Sequence, residues 1–243
     1  MPVVRRFRSF VALPLAAAFV AYLAFPVNAA QSTLPGIDVS HHNGAPHWSQ
    51  VQQDGIKFVI AKATEWTAFQ DPTYLTNKQQ VEGLGMAFTA YHFANPNTTA
   101  GDAAAEADYF VAFAQLTGRN LVPVLDLEAS GGLGVRKLKR WTKDWLTEVR
   151  AKLGVKATIY TTASFWMTNM GDTTWFAANG YRLWIAHWTT ATQPTLPASN
   201  WGGKGWTFWQ YDNHGSVSGI SGDVDLDRFN GTGLAPLKIK NNR

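Results

Sequence analysis

Beyond residue 30 the chain alternates short apolar runs, rich in β-branched and aromatic residues, with longer stretches of mixed polarity. The runs are "GIDVS" (36–40), "FVIAKA" (58–63), "AFTAYHF" (87–93), "LVPVLDLE" (121–128), "ATIYTT" (157–162), "LWIAHW" (183–188), "WTFWQY" (206–211) and "DVDLD" (223–227). Runs of this length and composition read as strands, so eight strands are predicted. The early connections "HWSQVQQDG", "DPTYLTNKQQVEGLG", "DAAAEADYFVAFAQLTG" and "VRKLKRWTKDWLTEVRAKLG" carry helical periodicity, and several end in Gly, as a helix C-terminus does. Such β–α alternation implies a parallel sheet with right-handed crossovers. The later connections, 189–205 and 212–222, are rich in Pro, Gly, Ser and Thr and have no room for a good helix. The expected architecture is therefore an α/β chain of five β–α units followed by three loop-joined strands, closing as a single irregular TIM-like barrel. An open doubly wound sheet is the structural alternative, because periodicity does not report closure. The tail "LKIKNNR" reads as a frayed basic end.

Composition modifies this picture at the N-terminus. The 243 residues are 46% hydrophobic and 16% charged, enough for one large domain with a sizeable core. Residues 1–30 place Arg5, Arg6 and Arg8 ahead of an apolar run from Phe10 to Phe25 and finish in small residues, the layout of a secretory signal cleaved after Ala29 or Ala30. The run is shorter than the ~20 apolar residues of a spanning helix and is interrupted by Pro14, so no stable membrane insertion of the mature chain is expected and secretion is. This leader holds three of the 21 basic residues and none of the 17 acidic ones, which leaves 18 − 17 = +1 for residues 31–243. The sequence pI of 9.3 is then no argument for nucleic acid. With no cysteine, disulfides, thiolate nucleophiles and iron–sulfur clusters are excluded.

The stretch "VLDLEASGG" (124–132) carries the chemistry. On a strand, Asp126 and Glu128 project to the same side with Cα atoms about 6.5 to 7 Å apart, at the C-terminal end where α/β folds build active sites. Asp38, Glu65 and Asp225 arrive at comparable strand ends. Singly each reads as a turn-ordering acid; together they form a constellation that packing does not explain. Crowded carboxylates raise the pKa of at least one member, and glycoside hydrolysis needs such a protonated acid beside a second carboxylate. Tyr91, Tyr160, Trp184, Trp188 and Trp209 lie at strand ends, where rings stack on sugars, although core packing is the simpler account of any one Trp. Trp141 and Trp145, at i, i+4, read as helix-to-sheet packing. The histidines form no HExxH motif and no G-x-S-x-G elbow is present, so neither a metal site nor a serine triad is expected.

The order of "GIDVSHHNG", "FVIAKATE", "YHF", "VLDLE", "IYTT", "LWIAHW", "WQY" and "GDVDLDRFNG" resembles that of the glycoside hydrolase family 25 lysozymes, the Chalaropsis-type N,O-diacetylmuramidases. The resemblance covers about residues 36–231. It implies a flattened (β/α)5(β)3 barrel, no cofactor, a monomer of one catalytic domain, and cleavage of the β-1,4 bond from N-acetylmuramic acid to N-acetylglucosamine in peptidoglycan glycan strands. Glu128 matches the general acid, and Asp126 the neighbouring acid proposed to orient the substrate acetamido group. Asp38 and Asp225 match the other two acids, and Tyr91, Tyr160, Trp184 and Gln210 match groove-lining positions. The chain departs at Trp66, where relatives often have Gly, and at Asp227, where they often have Asn. Two other readings stand beside this one: a non-catalytic peptidoglycan-binding barrel, and a barrel glycosidase acting on chitin-like polymers.

Overall fold

The computed structural model describes residues 1–3 and 32–240, so residues 4–30 of the signal-like leader and the junction at 30–31 lie outside the described residues. The described strands are β1 (Thr33–Val39), β2 (Phe58–Glu65), β3 (Phe69–Gln70), β4 (Ala87–Phe93), β5 (Val124–Asp126), β6 (Thr158–Thr162), β7 (Arg182–Ala186), β8 (Phe208–Gly215) and β9 (Val224–Asn230). They run in the order β1-β9-β8-β7-β6-β5-β4-β2, and pairing of β1 with β2 closes the ring; β3 is an outlying partner of β2. All pairings from β1 through β2, β4, β5, β6 and β7 to β8 are parallel, whereas β9 is antiparallel to both β8 and β1. The barrel is thus closed and mixed, and the open-sheet alternative is set aside.

The four periodic connections become α1 (Trp48–Gln53), α2 (Tyr74–Gly83), α3 (Asp102–Ala114) and α4 (Val135–Leu153). The fifth holds two short helices, α5 (Ala163–Asn169) and α6 (Trp175–Ala178). In the β7–β8 connection, read as loop, the segment Pro197–Gly202 makes a left-handed turn with Ala198, Ser199, Asn200 and Trp201 at φ between 50 and 56°. L-residues pay roughly 1–2 kcal/mol each for this hand. Burial of the Trp201 ring edge-on to Trp166 at 4.8 Å, and its Nε1 bond to the Tyr181 carbonyl at 2.8 Å, hold it there.

Alternation along the strands sorts side chains into two apolar layers. Odd-numbered positions of β2, such as Val59 and Ala61, pack under the helices together with Trp145, Trp166 and Leu146. Even-numbered ones, Phe58 and Ile60, meet Phe208, Phe229, Val124 and Leu121 inside the barrel. Gly36 of β1 faces the Phe58 ring, where a Cβ would stand 2.2 Å from the ring carbons, so the absence of a side chain lets the plug close. Two expectations need correction here. The run 121–128 yields a strand only over Val124–Asp126, since Pro123 has no N–H to donate and Val122 bonds instead to the Leu237 carbonyl. The tail does not fray through its first residues: Leu237 and Ile239 are buried, and the Ile239 N–H bonds to the Asn120 carbonyl.

Candidate active site

Because β9 runs antiparallel, its N-terminal residues sit at the same barrel end as the C-termini of the parallel strands. Asp225 stands directly across from Asp38, and Asp227 across from Gly36. Asp126 ends β5, and Glu128 follows two residues later. The sequence-predicted acids therefore share one mouth, but their environments differ. Asp38, Asp126 and the additional Asp227 are buried, Asp225 is partly covered, and Glu128 is exposed. The expectation that both carboxylates ride on one strand is corrected: β5 stops at Asp126, and Glu128, two residues on, is exposed.

Hydrogen bonds organise the floor. Gln210 Nε2 donates to Asp38 Oδ2 at 2.7 Å, while its Oε1 accepts from Tyr160 Oη at 3.0 Å and Trp188 Nε1 at 3.1 Å. Trp184 Nε1 donates to Asp227 Oδ1 at 2.8 Å and packs edge-on to Tyr160 at 4.5 Å. Tyr160, Trp184 and Gln210 are thus buried beneath the acids, and Tyr91 is partly buried with its ring 6.5 Å from Trp184. The open aromatic faces at this end belong to Trp188, 53% exposed, and Trp66, 51% exposed and held at φ 54°. Asp126 Oδ1 is buried with no hydrogen-bond partner.

The mouth also contains a cation that the sequence reading missed. Lys62 follows Phe58 and Ile60 on the inward face of β2, and a bulge in the pairing with β4 falls between Lys62 and Thr64. A bulge shifts the alternation by one residue, so Glu65 joins Lys62 on the same side and accepts from its Nζ at 2.6 Å. Asn95 Nδ2 adds a second bond to Glu65 at 3.2 Å. A lysine inside an otherwise apolar strand was the available signal. Asp227 could have been found as the next same-face residue after Asp225.

Electrostatics separate these groups. Burial, then the charge of Asp225, pushes Asp38 well above the usual carboxylate range, with Gln210 and Asp227 opposing. Burial and the neighbouring Glu128 and Asp38 do the same to Asp126, and burial with Asp38 to Asp227. Asp225 is pushed up to about 6 by desolvation and Glu128. Partial desolvation raises Glu128, with Lys62 pulling the other way. Burial of Glu65 is outweighed by Lys62 and Asn95, and its carboxyl lies below the ordinary value. The mouth thus combines acids whose protonated form is favoured by burial, and secondarily by neighbouring carboxylates, with Glu65, whose ionised form is favoured by a cation. That is the equipment of general acid catalysis beside a stabilising carboxylate. Among the described residues, no group of three or more His, Cys, Asp or Glu side chains is placed to hold a metal ion.

The profile of the glycosyl hydrolases family 25 matches residues 37–220. The chain is 39% identical over 220 residues to Lysozyme M1 of Streptomyces globisporus, covering 87% of this chain and 72% of that protein. It is 31% identical over 212 residues to the N,O-diacetylmuramidase of Chalaropsis sp., covering 79% and 96%. Among solved structures, a bacterial lysozyme from Streptomyces coelicolor superposes with a TM-score of 0.79 at 38% identity, over 85% of this chain and 97% of that one. A family GH25 lysozyme from Aspergillus fumigatus superposes with a TM-score of 0.77 at 27% identity, over 86% and 100%.

Proposed function

The chain belongs to family 25 of the glycosyl hydrolases and is a glycoside hydrolase; from that premise we propose that it is a secreted muramidase cleaving the β-1,4 bond between N-acetylmuramic acid and N-acetylglucosamine in peptidoglycan. The observation that carries the reading is the contrast at the end of β5. Glu128 is exposed with its pKa raised, while Asp126, two residues earlier, is buried with one carboxyl oxygen unpartnered.

In this reading Glu128 gives its proton to the glycosidic oxygen as the bond to C1 breaks. Asp126 Oδ1 accepts the N–H of the substrate acetamido group, turning the acetamido oxygen toward C1 to form the new bond. Water then displaces that oxygen and returns its proton to the Glu128 carboxylate, so the enzyme ends as it began. Asp38 and Asp225 shape the field around the developing positive charge, Glu65 with Lys62 fixes one wall, and Gln210, Tyr160, Trp184 and Tyr91 support the floor on which the sugar rests. The lysozyme and muramidase names of the relatives favour peptidoglycan as the polymer. Export follows from the leader at 1–30 and predicts a mature N-terminus at Ala30 or Gln31, read by N-terminal sequencing of the protein recovered outside the cell.

The test is mass spectrometry of the fragments released from purified peptidoglycan and from chitin by residues 31–243 and by Glu128→Gln. Reducing N-acetylmuramic acid ends from peptidoglycan alone, reduced at least about 100-fold in the variant, are the expected result. Comparable turnover by the variant would overturn the assignment of Glu128, equal hydrolysis of chitin would overturn the bond specificity, and binding without cleavage would move the chain to a wall-binding role.

A further inference from the structure

The first nine residues of α4, "VRKLKRWTK" (135–143), hold five basic residues and no acidic one. Residues 31–243 otherwise carry thirteen basic and seventeen acidic residues, a net of −4, so the positive charge of the domain is concentrated on this half-helix. The placement works against the fold. The start of a helix is its positive end and favours acidic residues, yet the first turn of α4 has none and Gly134 supplies no side-chain cap. Lys143 has a structural use, with its ammonium 3.8 Å from the centre of the Trp175 ring.

Arg136, Lys137 and Arg140 have no such use. All three are exposed, and among the described residues none makes an ion pair or a side-chain hydrogen bond. They line one side of a cleft of about 640 Å³ whose opposite wall is the loop and first turn leading into α3. Of the two acids lining the cleft, Asp102 is spent internally on Trp141 Nε1 at 2.7 Å and on Asn97, and Asp144 lies one turn beyond Arg140 without pairing to it. The helices on both sides follow β4 and β5, so the cleft opens at the same barrel end as Asp126 and Glu128.

We propose that the α3–α4 cleft is a second binding site, for a linear phosphodiester polymer carried on the glycan substrate. Arg136 and Arg140, at i and i+4, stand about 6 Å apart on one helix stripe, a spacing that meets successive charges on a repeating anion. Guanidinium forks take phosphate oxygens in pairs, and Lys137 supplies a third charge beside them. A single carboxylate would leave two of the three cations unpaired. Polymer held here places the attached glycan near the catalytic mouth without touching the acids, so the site adds affinity for decorated walls and leaves the chemistry unchanged. The inference rests on the peptidoglycan reading for where the polymer is carried, and direct titration with the free polymer separates its failure from the failure of that reading.

The experiment is isothermal titration of residues 31–243 with a short polyglycerol phosphate, comparing the protein with the triple variant Arg136→Gln, Lys137→Gln, Arg140→Gln. A control triple variant, Lys57→Gln, Arg119→Gln, Arg150→Gln, removes three exposed charges elsewhere. Saturable binding that weakens at least about tenfold in the cleft variant and less than about twofold in the control is expected, with hydrolysis of phosphate-free peptidoglycan unchanged and hydrolysis of decorated walls slowed. Glutamine is a good helix former, and matching far-ultraviolet dichroism melts would establish that both variants keep the fold. Absence of saturable binding, equal loss in the control, or equal affinity for duplex DNA would overturn the proposal. Slower hydrolysis of phosphate-free peptidoglycan by the cleft variant would also overturn it, assigning the cleft to stem-peptide carboxylates.

Discussion

Replacing Asp227 by Asn should stabilise the protein, by an amount that grows with pH. Asp227 is fully buried; its Oδ1 accepts from Trp184 Nε1 at 2.8 Å, and its carboxyl shares a hydrogen bond with that of Asp38. Burial and the adjacent Asp38 raise its pKa well above 3.8. The folded chain therefore keeps a proton that the unfolded chain gives up as pH rises through 3.8, and stability is lost across that window. Each pH unit costs about 1.4 kcal/mol, so the ceiling at pH 7 is about 4 kcal/mol. Asparagine is neutral in both states, retains the oxygen that accepts from Trp184, and offers an N–H toward Asp38. Urea unfolding of D227N and the unmodified chain at pH 4, 5, 6 and 7 measures the difference. Near-equality at pH 4, widening by up to about 1.4 kcal/mol per unit, is expected. A difference that does not change with pH, or a less stable variant at pH 7, would refute the protonated, buried state argued for Asp227.

The same electrostatics make opposite predictions for two neighbours of Glu128. The fall of kcat/KM on the alkaline side should lie above the ordinary carboxylate range, because burial raises Glu128 and the acids of the mouth titrate as a coupled set. Asp225→Asn removes a like charge and should move that limb to lower pH, whereas Lys62→Gln removes the cation that pulls Asp126 and Glu128 down and should move it higher; shifts of the same sign would contradict the argument. In the left-handed turn, Ser199 and Asn200 are exposed at φ 53 and 56°. Substituting either by Gly should stabilise by about 1 kcal/mol, read as a rise in Tm, and a fall in Tm would mean that their side chains hold the turn.

The strands and the acids on them were legible because alternation reports which way a side chain points and a strand's end reports where it arrives. Asp38, Asp126 and Asp225 needed nothing more, and Val59 against Phe58 already divides the outer core from the inner; closure of the ring and the position of Glu128, past the end of β5, needed more. What alternation does not contain is the identity of the residue across the strand or a change of register. The pairing of Lys62 with Glu65 depends on a bulge between β2 and β4, and that bulge is a property of the strand pair. The burial of Leu237 and Ile239 depends on a bond to the 120–122 segment more than a hundred residues away. "PASNWGG" shows Pro and Gly but not the hand of the turn, which is fixed by where Trp201 finds its pocket. The division of labour at the mouth has the same origin. Asp126 and Glu128 are equivalent in a strand pattern; they become different acids because β5 ends between them, leaving one buried and the other exposed.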